Sequence, residues 1–253
     1  MVYAVPDGGF VRSWIIATED GLIVVDPGSV GAAESVKSFI RGKPGWKMGD
    51  VRGIVATHFH IDHIGGIGRL LRACPEETVV FFHWRIQDYL TGERDLPRLQ
   101  NWSSEFLPVA LKSLLLCRHP LQLVVESLAG IPLWGFGNRF RLPIPLEKIY
   151  WLCGEELKRC ALGFGDWEVI ETPGHTADSL SLYSESSREL ICGDLILNMD
   201  NDGGHLNAFC ENVEETEETF ISLSASIQPR TIYPAHGEEI HHGTNALLLV
   251  KTG

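Results

Sequence analysis

The apolar positions of this chain fall into short runs, and most of the runs stop at a turn residue. Residues 2–5, 12–18, 21–26, 51–56, 78–82, 167–171, 179–185, 189–192 and 231–233 predict strands, with Gly8-Gly9 and Asp20-Gly21 marking the first turns. Helical spacing predicts helices over 30–41, over 63–73, and from Asn212 or Glu214 to residue 226. Glu214, Glu215, Glu217 and Glu218 sit near the positive end of that last helix and read as a solvated face. No internal repeat or low-complexity tract interrupts the pattern.

What ends the runs is chemically uniform. Val24-Val25 runs into Asp26-Pro27-Gly28, and Ile170 is followed by Thr172-Pro173-Gly174-His175-Thr176. Leu190-Ile191-Cys192-Gly193 ends in Asp194, and Ile232-Tyr233-Pro234-Ala235 ends in His236. The densest case follows Ile54-Val55-Ala56: Thr57-His58-Phe59-His60-Ile61-Asp62-His63 holds three histidines and a carboxylate. Imidazole nitrogen and carboxylate oxygen are ligands for zinc, iron and manganese, and such density is costly unless something binds it. In an extended segment His58 and His60 point the same way, while Asp62 and His63 reach toward a different point. One loop could therefore serve two metals about 3.5–4 Å apart. Gly65 and Gly66 keep the start of the following helix bare, so another backbone can approach this loop.

These five motifs, in this order, resemble the metallo-β-lactamase superfamily from about Val11 to His242, one long insert apart. The resemblance implies an α+β fold, an αβ/βα sandwich of two mixed sheets with outer helices, forming one domain over 1–253. It implies that His58, His60 and His175 hold a first divalent metal and Asp62, His63 and His236 a second. Asp194 would bridge them opposite a bridging hydroxide, and Asp26 would orient the histidine loop by hydrogen bonding. The implied cofactors are two zinc ions, with iron or manganese as alternatives. The implied activity is hydrolysis of an ester, thioester or lactone, with Asp62 or Asp194 handling the leaving-group proton.

Local similarity is greatest to glyoxalase II and to acyl-homoserine lactonases. Seventeen residues follow His236, too few for the helical domain with which glyoxalase II grips glutathione. Two alternatives stay open: a phosphodiesterase, and a mononuclear iron enzyme resembling the persulfide dioxygenases. The latter share His58, His60, His175 and Asp194 as a pattern. Their Gly-Arg-Thr-Asp stretch is replaced here by Asn198-Met199-Asp200-Asn201-Asp202-Gly203-Gly204-His205.

Composition narrows the partners. A net charge of −12 argues against nucleic acid, whose phosphates need a basic face. The six cysteines show no CxxC spacing and read as reduced thiols in a cytoplasmic protein, with no signal peptide and no membrane span. The surplus sequence, residues 84–145, predicts a helical insert, with Pro108 and Pro120 dividing its leucine-rich part into two helices. It reads as plain packing, a homodimer element, or a cap over the metal cleft. As a cap it would favour a small-molecule substrate with an apolar group. Trp134, Phe136, His205 and Asn207 are the candidate substrate-pocket residues.

Overall fold

In the computed structural model, which describes residues 1–6, 8–131, 141–154 and 158–252, the first apolar runs pair as an antiparallel meander. It consists of β1 (Val2–Ala4), β2 (Trp14–Thr18) and β3 (Gly21–Val25). Helix α1 (Val30–Gly42) begins where the Ser29 hydroxyl accepts the Ala32 N–H, a side-chain cap for a free helix-end donor. The chain returns as β4 (Val51–Val55), parallel to β3. Two short helices follow, α2 (Ile61–Ile64) and α3 (Ile67–Leu71), then β5 (Val79–His83), parallel to β4. The insert contributes α4 (Ile86–Thr91) and α5 (Leu107–Leu116). Strand β6 (Ile149–Leu152) then adds to β5 and completes a six-stranded sheet in sequential order.

The second sheet starts with the antiparallel strands β7 (Arg159–Ala161), β8 (Trp167–Glu171), β9 (Leu180–Ser184) and β10 (Glu189–Gly193). A small hairpin of β11 (Ile196–Leu197) and β12 (His205–Leu206) precedes α6 (Val213–Ser226), capped by Asn212. That helix carries the chain across to β13 (Thr231–Pro234), parallel to β10, and β14 (Ile240–His241) ends the sheet.

Period-2 alternation builds the layers. Trp14, Ile16, Ile23, Val25, Val55 and Phe81 face the second sheet and meet Trp167, Val169, Leu182 and Ile191. Ile15, Val24, Ile54, Val80 and Phe82 point outward and bury Ala33, Val36 and Ile40 of α1. On the far side Leu190 and Cys192 pack under Phe220 and Leu223 of α6. Two mixed sheets face to face with helices outside is the sandwich the resemblance implied.

Three local expectations are corrected. The helix expected over 63–73 is two helices, because the Gly66 N–H leaves the helical ladder and donates to the carbonyl of Gly28 at 2.5 Å. Strands β6, β7, β11, β12 and β14 were not anticipated; most are two or three residues long and carry too few positions to show a period. In the insert, α5 forms with Pro108 in its first turn, but the helix expected after Pro120 is only a 3₁₀ turn, Pro120–Leu123. Helix α5 also faces the unexpected way. Leu111 and Leu115 are 55% and 85% exposed, whereas Ser113 is fully buried. Trp134 and Phe136 lie outside the described residues.

The close approach at Gly66 yields a prediction. A Cβ there would sit 2.2 Å from the Ser29 carbonyl oxygen, so Gly66→Ala must push the α1 entry loop away from the histidine loop. We expect a loss of about 1–3 kcal/mol in denaturant unfolding. Unchanged stability would show that the two loops do not pack as described.

Candidate metal centre

All the ligand-type residues lie at strand ends. Asp26 follows β3 and the His58–His63 loop follows β4; His175, Asp194 and His236 follow β8, β10 and β13. The two sheets present these ends at one edge, as α/β folds commonly do. Backbone bonds tie the loops together: Leu180 N–H to the Thr57 carbonyl (2.8 Å), Ala235 N–H to Gly193 (3.0 Å), and Asn198 N–H to His236 (3.0 Å). Gly193 is required just before Asp194. Its φ is +53°, and a Cβ there would lie 2.7 Å from the Thr57 hydroxyl.

The seven expected ligands converge. His58 Nε2 and His60 Nδ1 are 2.8 Å apart, and His175 Nε2 is 3.1 Å from that same His60 nitrogen. Asp62, His63 and His236 form a second group, with His236 Nε2 3.6 Å and His63 Nε2 3.9 Å from Asp62 Oδ2. Asp194 stands between the groups, its oxygens 3.4 Å from His63 Nε2, 3.4 Å from His236 Nε2 and 3.5 Å from His175 Nε2.

The far side of the imidazoles explains why these nitrogens converge. Asp26 Oδ2 lies 3.0 Å from His63 Nδ1, and Thr57 Oγ1 lies 3.2 Å from His58 Nδ1. His175 Nδ1–H donates to the Phe209 carbonyl (2.6 Å), and Ser113 Oγ lies 3.5 Å from His236 Nδ1. Each contact occupies one ring nitrogen and turns the other inward. Asp26 is itself held by Thr57, whose N–H and hydroxyl each donate to one of its oxygens at 2.8 Å.

The donor set fits divalent metals. His63 Nε2 and Asp194 Oδ1 are buried and have no hydrogen-bond partner among the described residues. A buried polar atom left so is costly, and a cation between the groups would satisfy both. The electrostatics divide the two groups. Burial, with the neighbouring imidazoles, holds His58 well below its usual pKa and brings His60 to about 3. Burial likewise lowers His175. Burial also opposes charge on His63 and His236, but nearby carboxylates outweigh it: Asp26, Asp194 and Asp62 raise His63 well above its usual value, and Asp194 and Asp62 bring His236 to about 9.

Above the ligands lies a cavity of about 410 Å³. His60, Asp62, His175, Asp194 and His236 face into it. The insert supplies Leu99, Phe106, Val109, Leu123, Val125 and Ile131 to its wall, and Phe10, Ile61, Leu197 and Phe209 complete the apolar surface. Among the described lining residues there is no lysine or arginine. Asn207 lines the cavity, and its Nδ2 donates to the Asp194 carbonyl at 2.9 Å. His205 does not line it: its backbone pairs with Leu197 in the β11–β12 hairpin, and the ring is half-buried beside Asp202.

Two contributors were not anticipated. Asp178 is fully buried, and its Oδ2 accepts the Phe59 N–H at 2.8 Å, between His58 and His60. It ties the His175 turn to the histidine loop. Its one sequence signal is its place three residues after His175. Ser113 had none, since a serine among leucines reads as the polar face of a helix.

Comparison with known proteins agrees with this geometry. The sequence profile of the metallo-beta-lactamase superfamily matches residues 6–236, and the chain belongs to that family. It is 26% identical over 199 residues to the "probable metallo-hydrolase YflN" of Bacillus subtilis (strain 168), covering 74% of this chain and 64% of that protein. It is 25% identical over 232 residues to "probable metallo-hydrolase YybB" of the same organism, covering 91% and 82%. The chain thus spans less than two thirds of YflN's length and most of YybB's. An archaeal superfamily protein from Sulfolobus tokodaii superposes with a TM-score of 0.60 at 19% identity, over 95% of this chain and 81% of that one. TTHA1623, solved in a di-iron-bound form, gives 0.54 at 16% identity over 91% and 89%.

Two measurements check the site. Nearby carboxylates favour the protonated forms of His63 and His236, which metal binding must displace, whereas burial disfavours them at His58, His60 and His175. Metal entering the Asp62 group should release about two protons and bind about tenfold more tightly per pH unit per proton as pH rises toward 9. Calorimetry in buffers of different ionisation enthalpy reads this, and proton release from the His58 group instead would contradict it. Asp178→Ala should weaken metal binding at the His58 group about 10–100-fold, with Asp178→Asn retaining most of it. Equal affinity for wild type and alanine variant in chelator competition would remove Asp178 from the site.

Proposed function

We propose that this metal-dependent hydrolase is dinuclear and cleaves an ester, thioester or lactone that carries an apolar group. The observation that carries the reading is the pair of ligand groups with Asp194 between them, one of them needed by a mononuclear enzyme and both by a dinuclear one. The di-iron form of TTHA1623 supports it as a property of a protein with the same fold. His58, His60 and His175 would hold one ion, Asp62, His63 and His236 the other, and Asp194 both. Two bound divalent ions would supply a nucleophilic water near neutral pH and polarise the scissile carbonyl.

The protein's own part is binding, orientation and proton handling. Asp62 is the ligand carboxylate most open to the cavity, with 24% of its side chain exposed. Burial works against its ionised form, but His63 and His236 keep its pKa low, so it can take a proton only as those partners change. We assign it, with Asp194, to passing the proton to the leaving group. The insert acts as a cap. Its apolar side chains wall the cavity, so an acyl chain or hydrophobic ring gains by leaving water there.

Asp194→Ala should lower kcat at least a thousandfold on the best of an ester, thioester and lactone panel while circular dichroism stays unchanged. Full activity would contradict the assignment. Phe106→Ala should raise KM for long apolar acyl groups about 10-fold or more and leave acetyl substrates unaffected. An equal change for both would place Phe106 away from the acyl group. Oxygen consumption with a thiol persulfide, and no hydrolysis, would point to the mononuclear iron alternative.

A further inference from the structure

Away from the metal centre, two cysteines meet where the sandwich is open. Cys153 directly follows β6, the outermost strand of the first sheet. Cys160 is the middle residue of β7, the outermost strand of the second. Their sulfurs are 3.2 Å apart, and both side chains pack on the core between the sheets. Cys153 has a left-handed backbone, φ 58°, a conformation that glycine and asparagine usually fill. Both residues are half-buried, as are Cys74 and Cys117, whereas Cys192 and Cys210 are buried; the pair is set apart by its sulfur–sulfur contact. The position also matters. Strands β3 to β6 are parallel, so Cys153 lies on the same sheet edge as Asp26 and the histidine loop.

We propose that Cys153 and Cys160 are a hydroperoxide-reactive thiol pair that closes into a disulfide joining the two sheets. The sulfurs are close enough for one thiol to donate to the other, and a hydrogen bond from Cys153 to a Cys160 thiolate would bring Cys160 down to about 7, while burial raises the Cys74 thiol to about 12. The Cys160 thiolate is therefore the nucleophile. It attacks the terminal oxygen of a hydroperoxide: an S–O bond forms, the O–O bond breaks, and the departing oxygen leaves as an alcohol or water after taking a proton. Cys160 is now a sulfenic acid. The Cys153 sulfur attacks it: the S–S bond forms, the S–O bond breaks, and the hydroxyl leaves as water with the Cys153 proton. In total two thiols lose two electrons and two protons, and one hydroperoxide becomes one alcohol and one water.

The test uses the full-length protein at pH 7, treated with hydrogen peroxide, denatured in the presence of a maleimide and mapped by mass spectrometry. Labelling should fall from six thiols to four, with a Cys153–Cys160 cross-linked peptide that a thiol reductant reverses. Cys153→Ser should stop at a sulfenic acid on Cys160 that dimedone traps, and Cys160→Ser should leave Cys153 unoxidised. Six labelled thiols after treatment, a disulfide between other cysteines, or over-oxidation of both without a cross-link would each overturn the proposal. The wild-type map decides the question even if a serine variant fails to fold.

Discussion

The Asp26 carboxylate is the contact on which the metal centre depends. It is fully buried, where an unpaired charge would be prohibitive, and it takes up the Thr57 N–H, the Thr57 hydroxyl and the His63 ring. Its own backbone adopts φ 50°, so the strand end turns sharply to deliver it. Through Thr57 it also reaches His58. One side chain from β3 thereby sets two rings of the histidine cluster. Asp178, from the opposite sheet, holds the same loop at Phe59. The loop is clamped from both sheets, and the spacing of the sandwich becomes the spacing of the ligands.

Much of this was legible because it is local. A polar residue after an apolar run marks a strand end, and His58, His60, Asp62 and His63 announce their chemistry by density alone. His175, Asp194 and His236 are each ordinary singly and informative only as an ordered set. The contributors that stayed hidden act through tertiary contact. An aspartate in Thr176-Ala177-Asp178-Ser179 looks like any turn residue until the Phe59 N–H is seen against it.

The insert shows the limit of counting apolar residues. Its leucines implied that a large apolar face must be covered. Leucine or valine occupies so many positions of α5 that periodicity cannot say which side turns inward. In the observed orientation Ser113 faces His236 and Lys112 pairs with Asp200 at 2.5 Å. Val109 then lines the metal cavity, and Leu111 and Leu115 are exposed. The insert and the histidine cluster therefore meet: the helix that lines the cavity also places Ser113 beside His236.

Two ligand groups at one edge of the sandwich imply two metals. Protein purified without chelators and crystallised can be measured at the absorption edges of zinc, iron and manganese. The account predicts two anomalous peaks about 3.5–4 Å apart, one among His58, His60 and His175 and one among Asp62, His63 and His236, with Asp194 touching both. A single peak at the His58 group, with the Asp62 group empty under excess metal, would contradict it.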